Sequence, residues 1–259
     1  MSSENRYLRI LNASAEERGR LYEQLYAASV ESASRVRDQL ATNPRRLKRV
    51  PIFKRIIAPG HHAILEIGCG AGDLTWAFAD LAEHAVGIDI SASRVIAASQ
   101  VSASTRSRPP AGAVKFLVMN AVQLGFANET FDCVVSTSMI EHLHPDDVDL
   151  HLAEVWRVLE YGGTYCVWCP NRLGHHDDRD FHLCMMSYAE LIEKMTRAGF
   201  SEFRAPLFRE PPMVGAGFKV ALETLLSTLR VRTMWSHLGI RNICLVGKKT
   251  RNGFRGPLP

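Results

Sequence analysis

From Ala63 onward, hydrophobic and polar positions follow two alternating patterns. Short apolar runs typical of buried strands are separated by segments with helical periodicity. The apolar runs are 63–67, 85–89, 114–119, 133–136 and 164–168, and the helical segments begin at Asp73, Ser91, Pro145 and Ser187. Strands that are apolar on both faces and alternate with helices are typical of parallel sheets. The pattern therefore predicts an α/β, Rossmann-like, doubly wound fold.

Residues 1–60 have a different pattern, which is helical and basic. Ser14 and Glu17 have the spacing of a capping box, and apolar residues then recur on one helical face. A basic run at 45–49 follows. We predict an N-terminal helical extension over 1–60 that acts as a lid, with a solvated helical linker as the alternative.

The C-terminal part contains two further strand-like runs, 200–208 and 243–247. Between them, apolar residues recur with the spacing of an amphipathic helix. These residues are Phe218, Leu222, Leu225, Leu226 and Leu229. We predict a helical insertion over 209–240, before the last strand of a main domain that spans 61–259.

Composition and charge exclude several classes of protein. The chain is 46% hydrophobic and 22% charged, which excludes a mainly disordered protein. Its 31 Lys and Arg against 27 Asp and Glu give a net charge of +4, too small to indicate nucleic acid by itself. The apolar stretch 213–231 contains Lys219 and Glu223, so no membrane span is expected. The six scattered cysteines and the polar N-terminus favour a reducing, cytoplasmic location.

A glycine-rich turn carries the strongest chemical signal. The first buried strand runs into Gly68, Gly70 and Gly72, where a ligand can lie against the backbone. Asp73 follows where a dinucleotide fingerprint requires glycine, and its carboxylate would repel a pyrophosphate. A cofactor with a cationic centre fits better. Asp89 ends the next strand, where a carboxylate can accept hydrogen bonds from a ribose diol.

Four segments in this order resemble the class I S-adenosylmethionine-dependent methyltransferases. They are LEIGCGAGDLTWAFA, VGIDIS, MNAVQLGFANETFDCVVSTSMIEHL and LAEVWRVLEYGGTYCVWCPN, within 63–199. The chain is most similar to the ubiquinone-type, or methyltransferase type 11, small-molecule O-methyltransferases. The resemblance implies a seven-stranded sheet whose last strand is antiparallel, and S-adenosyl-L-methionine as the cofactor.

The resemblance also implies which residues bind that cofactor. The glycines would face its methionine part, Asn120 and Ala121 its adenine, and Arg46 the methionine carboxylate. Arg46 could instead belong to a solvated basic linker. The full set is Arg46, Glu66, Gly68, Gly70, Gly72, Asp89, Ile90, Asn120, Ala121, Ser136 and Thr137.

Glu141 and His142 follow the fourth predicted strand and are the candidate catalytic residues. A histidine suits a general base because its pKa lies near neutrality. Several relatives read Glu-x-x-Glu-His here and bind a divalent metal with a later histidine, which would be His176 or His182. Because Ser138 stands at the first glutamate position, a general base is favoured over a metal site. A structural role for His142 is the third alternative.

Three functions remain open from the sequence. The first is O-methylation of a small-molecule acceptor. The second is 2′-O-methylation of RNA, although the net charge of +4 makes a nucleic-acid partner unfavoured. The third is a non-catalytic scaffold on the same fold, against which the intact glycines and Asp89 argue. The sequence leaves the oligomeric state open.

Overall fold

The computed structural model describes residues 8–27, 49–105, 111–174, 182–206, 213–228 and 242–251. The chain divides into two compact units, residues 1–125 and residues 126–259. The predicted boundary near residue 60 falls inside the first unit, so a separate N-terminal lid stays a prediction.

The first unit consists of parallel strands and helices. Its elements are α1 (Ala15–Ala27), α2 (Arg49–Ile56), β1 (His61–Ile67), α3 (Asp73–Phe78), β2 (Ala82–Asp89), α4 (Ala92–Thr105) and β3 (Ala113–Val118). The strands lie in the order β3-β2-β1 and pair in parallel. The last five residues of β1 are buried, as expected for a strand covered on both faces.

The first N-terminal helix begins with the predicted capping box, and the second packs against α3. The Glu17 amide donates to Ser14 Oγ (3.4 Å) and the Ser14 amide to Glu17 Oε2 (3.1 Å), which confirms the capping box before α1. Helix α2 contacts α3 through the edge-to-face rings of Phe53 and Phe78, 6.1 Å apart. Helix α2, whose Phe53 is fully buried, is therefore part of the first unit's core.

The second unit contains the remaining strands. Its elements are β4 (Phe131–Thr137), a 3₁₀ turn (Ile140–His142), α5 (Pro145–Val158), β5 (Leu159–Pro170), α6 (Tyr188–Arg197), β6 (Phe200–Pro206), β7 (Met213–Gly215), α7 (Ala216–Thr228) and β8 (Asn242–Lys249). The order is β4-β5-β8-β6-β7. Strand β8 is antiparallel to both of its neighbours, as predicted for the last strand. The short edge strand β7 adds to the seven predicted strands.

Helix α7 lies within the predicted insertion, but only part of its predicted apolar face is buried, including Leu226. Phe218 and Leu225 are 53% and 54% exposed, whereas Lys219 and Glu223 are buried. The reason is that Glu223 accepts hydrogen bonds from neighbouring segments, which holds the polar side of the helix inward. Leu229 lies outside the described residues. No helix in the described ranges is long and apolar enough to cross a bilayer.

Candidate functional site

The glycine turn after β1 has a backbone that only glycine adopts easily. Gly68, Gly70 and Gly72 have φ values of +74°, +55° and +81°. The amides of Gly68 and Cys69 donate to the Ile88 carbonyl at 2.8 and 2.9 Å. The turn is thus fixed to the end of β2.

Replacing Gly72 by alanine is expected to destabilise the fold. An added Cβ would lie 2.6 Å from the Phe116 ring at a φ of +81°. Overpacking costs about 1–3 kcal/mol, and the left-handed backbone about 1–2 kcal/mol more. Gly60→Ala is the matched control, because its φ is +97° but no atom lies within 4 Å. Urea unfolding should show the larger loss in Gly72→Ala, and equal losses would contradict the packing argument.

Asp89 joins the end of β2 to the glycine turn. Its Oδ2 accepts the Gly70 amide and its Oδ1 the Ser91 amide, each at 2.9 Å. The residue is only 6% exposed. Since a carboxylate oxygen has more than one lone-pair site, each oxygen can accept a further hydrogen bond. The carboxylate therefore orders the turn and keeps capacity for a ribose diol.

Glu66 is buried below the turn, where it accepts a hydrogen bond from the Thr75 hydroxyl. This contact joins β1 to α3. Glu66 thus has a structural task in addition to the cofactor contact predicted for it. Ile90, directly after Asp89, is partly exposed at the same strand end.

Asn120 and Ala121 follow β3 at the same edge of the first unit. Asn120 Oδ1 accepts the Val122 amide at 3.1 Å, and the Met119 amide donates to the Asp89 carbonyl at 3.0 Å. Both Asn120 and Ala121 are partly exposed. The carboxyl ends of the three strands thus bring together the turn, Asp89 and Asn120, the edge where ligands of such sheets bind. Their contacts with a cofactor stay predictions.

Helix α1 contacts this edge. A Cβ on Gly19 would lie 3.6 Å from Asn120 Nδ2. The Arg94 guanidinium lies 5.3 Å from the centre of the Tyr26 ring, which joins α1 to α4. Arg46 lies outside the described residues, so its role in binding the methionine carboxylate stays a prediction.

In the second unit, Ser136 is directed into the core. Its hydroxyl lies 2.7 Å from the Tyr165 hydroxyl, which lies 2.9 Å from His151 Nε2. All three residues are buried, and burial raises the pKa of Tyr165. A cofactor contact by Ser136 would therefore come from its backbone. Thr137, the next residue, is partly exposed.

Glu141, His142 and His182 come together beyond β4. The amides of Leu183 and Cys184 donate to the Glu141 carbonyl at 2.8 and 3.0 Å, which brings the 182–184 segment to the 3₁₀ turn. One ligand atom from each of Glu141, His142 and His182 lies within 4.8 Å of the others. Glu141 is buried and both histidines are partly exposed. We refer to these three residues as the Glu-His-His cluster.

The structure brings His182, one of the two predicted partners, to Glu141 and His142. His176 lies outside the described residues, as does the rest of 175–181. A buried carboxylate beside two imidazoles can hold and move a proton near neutral pH. The same donors can bind a divalent ion. The cluster therefore fits both chemistries that the sequence left open.

The loop after β5 is fixed by contacts that the sequence did not predict. Asn171 Nδ2 donates to Glu223 Oε1 at 2.6 Å, and Asn171 Oδ1 accepts the Leu173 amide at 2.9 Å. Burial raises the pKa of Glu223. These contacts order the start of the segment that leads to His182. Asn171 and Glu223 are 52 residues apart in the sequence, and no sequence pattern predicts that they pair.

Residues 65–167 match a protein family described as a methyltransferase domain. A probable S-adenosylmethionine-dependent methyltransferase from Mycolicibacterium smegmatis is 33% identical over 142 residues, 53% of this chain and 51% of that protein. A ubiquinone biosynthesis O-methyltransferase from Rhizobium rhizogenes is 32% identical over 109 residues, 42% of this chain and 41% of that protein. The match thus spans about half or less of these relatives.

A solved structure has the same fold. It is a putative methyltransferase of Haloferax volcanii in complex with the Trm112 activator, with a TM-score of 0.59 at 18% identity. The similarity covers 85% of this chain and 94% of that one, which confirms the predicted Rossmann-like sheet. Residues 65–167 are thus a methyltransferase domain, and the chain is similar to S-adenosylmethionine-dependent methyltransferases in sequence and in fold.

Proposed function

We propose that this chain transfers the methyl group of S-adenosylmethionine to a hydroxyl of a small-molecule acceptor. The family supplies the methyl-transfer chemistry. The observation that carries the choice of a hydroxyl is the Glu-His-His cluster, because a hydroxyl must lose its proton when its oxygen is methylated. The O-methyl transfer named for the Rhizobium relative supports the same choice.

The first unit would bind the methyl donor. The residues present fit it, because Asp89 offers acceptors for a ribose diol and Asp73, in the first turn of α3, disfavours a diphosphate. Gly68, Gly70 and Gly72 would lie against the methionine part. Asn120 and Ala121 would bind the adenine, and Arg46 the methionine carboxylate.

His142 would act as the general base. S-adenosylmethionine supplies a methyl group that its sulfonium has already activated, so alignment of the acceptor oxygen is the main requirement. In this mechanism the acceptor oxygen would gain the methyl group as the carbon–sulfur bond breaks, S-adenosylhomocysteine would leave with that electron pair, and a ring nitrogen of His142 would take the hydroxyl proton. The buried Glu141 carboxylate stabilises the imidazolium that forms.

A second candidate is methylation assisted by a divalent metal. The specific observation that favours it is the distance of at most 4.8 Å among one carboxylate and two imidazole ligand atoms. Glu141, His142 and His182 would hold the ion, which would polarise the acceptor oxygen. One carboxylate and two histidines form a ligand set known from catalytic zinc sites.

The N-terminal helix would cover the bound adenine as part of a lid. Gly19→Leu places side-chain atoms beyond a Cβ position that already lies 3.6 Å from Asn120 Nδ2, so it should displace Asn120. A displacement that costs about 1 kcal/mol of binding free energy would raise the dissociation constant for S-adenosylmethionine about fivefold. Arg20→Leu is the matched control, since the Arg20 side chain is 74% exposed. Calorimetry that gives equal affinities for both variants would contradict the lid.

The function is tested with labelled S-adenosylmethionine and a panel of phenols, catechols, amines and short RNAs. We expect label on a hydroxyl of a small acceptor. Label on RNA alone would overturn the choice of acceptor in favour of 2′-O-methylation. Failure of calorimetry to detect binding of the methyl donor would overturn the proposed enzyme and favour a scaffold.

A further inference from the structure

A second histidine and glutamate cluster lies at the start of β1 and β2. These strands pair in parallel, with His61 opposite Ala82 and Ala63 opposite His84. His62 is therefore level with Glu83, next to His84. Since the glycine turn and Asp89 lie at the carboxyl ends of the same strands, this cluster lies at the opposite edge of the first unit.

The three side chains are already close to one another. His62 Nδ1 lies 3.0 Å from Glu83 Oε2, and the rings of His62 and His84 are 5.4 Å apart in an edge-to-face arrangement. One ligand atom from each lies within 4.8 Å of the others. We infer that His62, Glu83 and His84 form a surface site for a divalent transition-metal ion such as Zn²⁺.

The donor set determines which ions fit. Zn²⁺ binds imidazole nitrogen and carboxylate oxygen at about 2.0–2.2 Å, so tetrahedral ligand atoms lie about 3.4 Å apart. The three side chains are exposed, so they have room to rotate from their present spacing, within 4.8 Å, toward that separation. Imidazole-rich sites prefer Zn²⁺, Ni²⁺ and Cu²⁺ over Mg²⁺ and Ca²⁺. All three residues are exposed, so water can complete the coordination shell.

The contact between His62 and Glu83 alone does not explain the arrangement. An exposed His62–Glu83 pair contributes little to stability, because both side chains, 63% and 72% exposed, are well hydrated. His84 adds a third ligand that the pair does not require. Only the folded register brings residue 62 to residues 83 and 84, so a bound ion would stabilise the folded state over the unfolded one.

The test is calorimetric titration of the full chain with Zn²⁺ and Ni²⁺. Wild type is compared with His62→Ala, His84→Ala and Glu83→Gln, which are exposed and should fold normally. We expect each histidine variant to lose one equivalent of metal or to bind it at least tenfold more weakly. His61→Ala is the matched control, since His61 is adjacent but outside the cluster, and it should keep that equivalent.

A His142→Ala variant distinguishes metal bound at the surface site from metal bound at the Glu-His-His cluster. The His142→Ala variant should still bind one equivalent of metal at His62, Glu83 and His84. Zn²⁺ should therefore raise the thermal unfolding midpoint of His142→Ala but not that of the double variant His142→Ala/His62→Ala. Equal stoichiometry and affinity in wild type and His62→Ala would overturn the site. An equal loss in His61→Ala would also overturn it. Methyl transfer by His62→Ala should match wild type whether or not the proposed acceptor is correct.

Discussion

Replacement of His142 by alanine is expected to lower kcat by about 10²–10⁴-fold, the range that a general base contributes. The dissociation constant for S-adenosylmethionine should stay unchanged, because the predicted donor-binding residues in the first unit are intact. Single-turnover transfer of labelled methyl measures the first quantity and calorimetry the second. A His142→Ala enzyme with full kcat would remove His142 from the mechanism.

The matched control is His144→Ala, two residues further along the same loop. His144 is the N-terminal cap of α5, where its side chain accepts the Asp146 amide at 3.2 Å. Its loss should cost about 0.5–2 kcal/mol of stability and leave the turnover of folded enzyme unchanged. An equal loss of kcat in both variants would mean that the loop, rather than the His142 imidazole, limits the rate.

His182→Ala separates the two chemistries proposed for the Glu-His-His cluster. If His142 is a base held by Glu141, His182→Ala should reduce kcat far less than His142→Ala does. If the cluster holds a metal, both histidines are ligands and both variants should lose activity alike. In that case a chelator should abolish activity and added Mg²⁺, Mn²⁺ or Zn²⁺ should restore it. Chelator resistance together with a mild His182→Ala effect supports the base.

The sequence predicted the carboxyl ends of β1 and β2 at Ile67 and Asp89, where the structure has them. Asp89 ends one predicted strand and Asn120 follows the next, so parallel order alone brings them to one edge. Glu141 and His142 follow β4 in the same way. Their closeness to His182 depends on two backbone hydrogen bonds to the Glu141 carbonyl, which no sequence pattern encodes.

Three features could not be predicted because hydrophobicity does not encode them. Strand β4 is buried on both faces, so its pattern could not tell whether Ser136 points into the core. Helix α7 buries Glu223 because partners from distant parts of the chain supply its hydrogen bonds. The surface site of His62, Glu83 and His84 depends on the register between β1 and β2, which the sequence leaves open.

Asp89→Ala is expected to weaken S-adenosylmethionine binding by about 1.5–3 kcal/mol, the range for hydrogen bonds to a charged group. This corresponds to a dissociation constant about 10–150-fold higher. The variant also leaves the Gly70 and Ser91 amides without their acceptor, so the turn itself should become less ordered. Calorimetry measures the affinity and urea unfolding of the free protein measures the cost to the fold.

A ligand that lacks both ribose hydroxyls separates these two effects. If Asp89 binds the ribose directly, S-adenosylhomocysteine should lose more affinity on Asp89→Ala than its 2′,3′-dideoxy analogue, because the analogue has no hydroxyls to lose. If Asp89 acts only by ordering the turn, both ligands should lose affinity equally, since both lie against the same glycines. Equal losses would therefore remove Asp89 from the ribose contact while leaving its structural role at the turn.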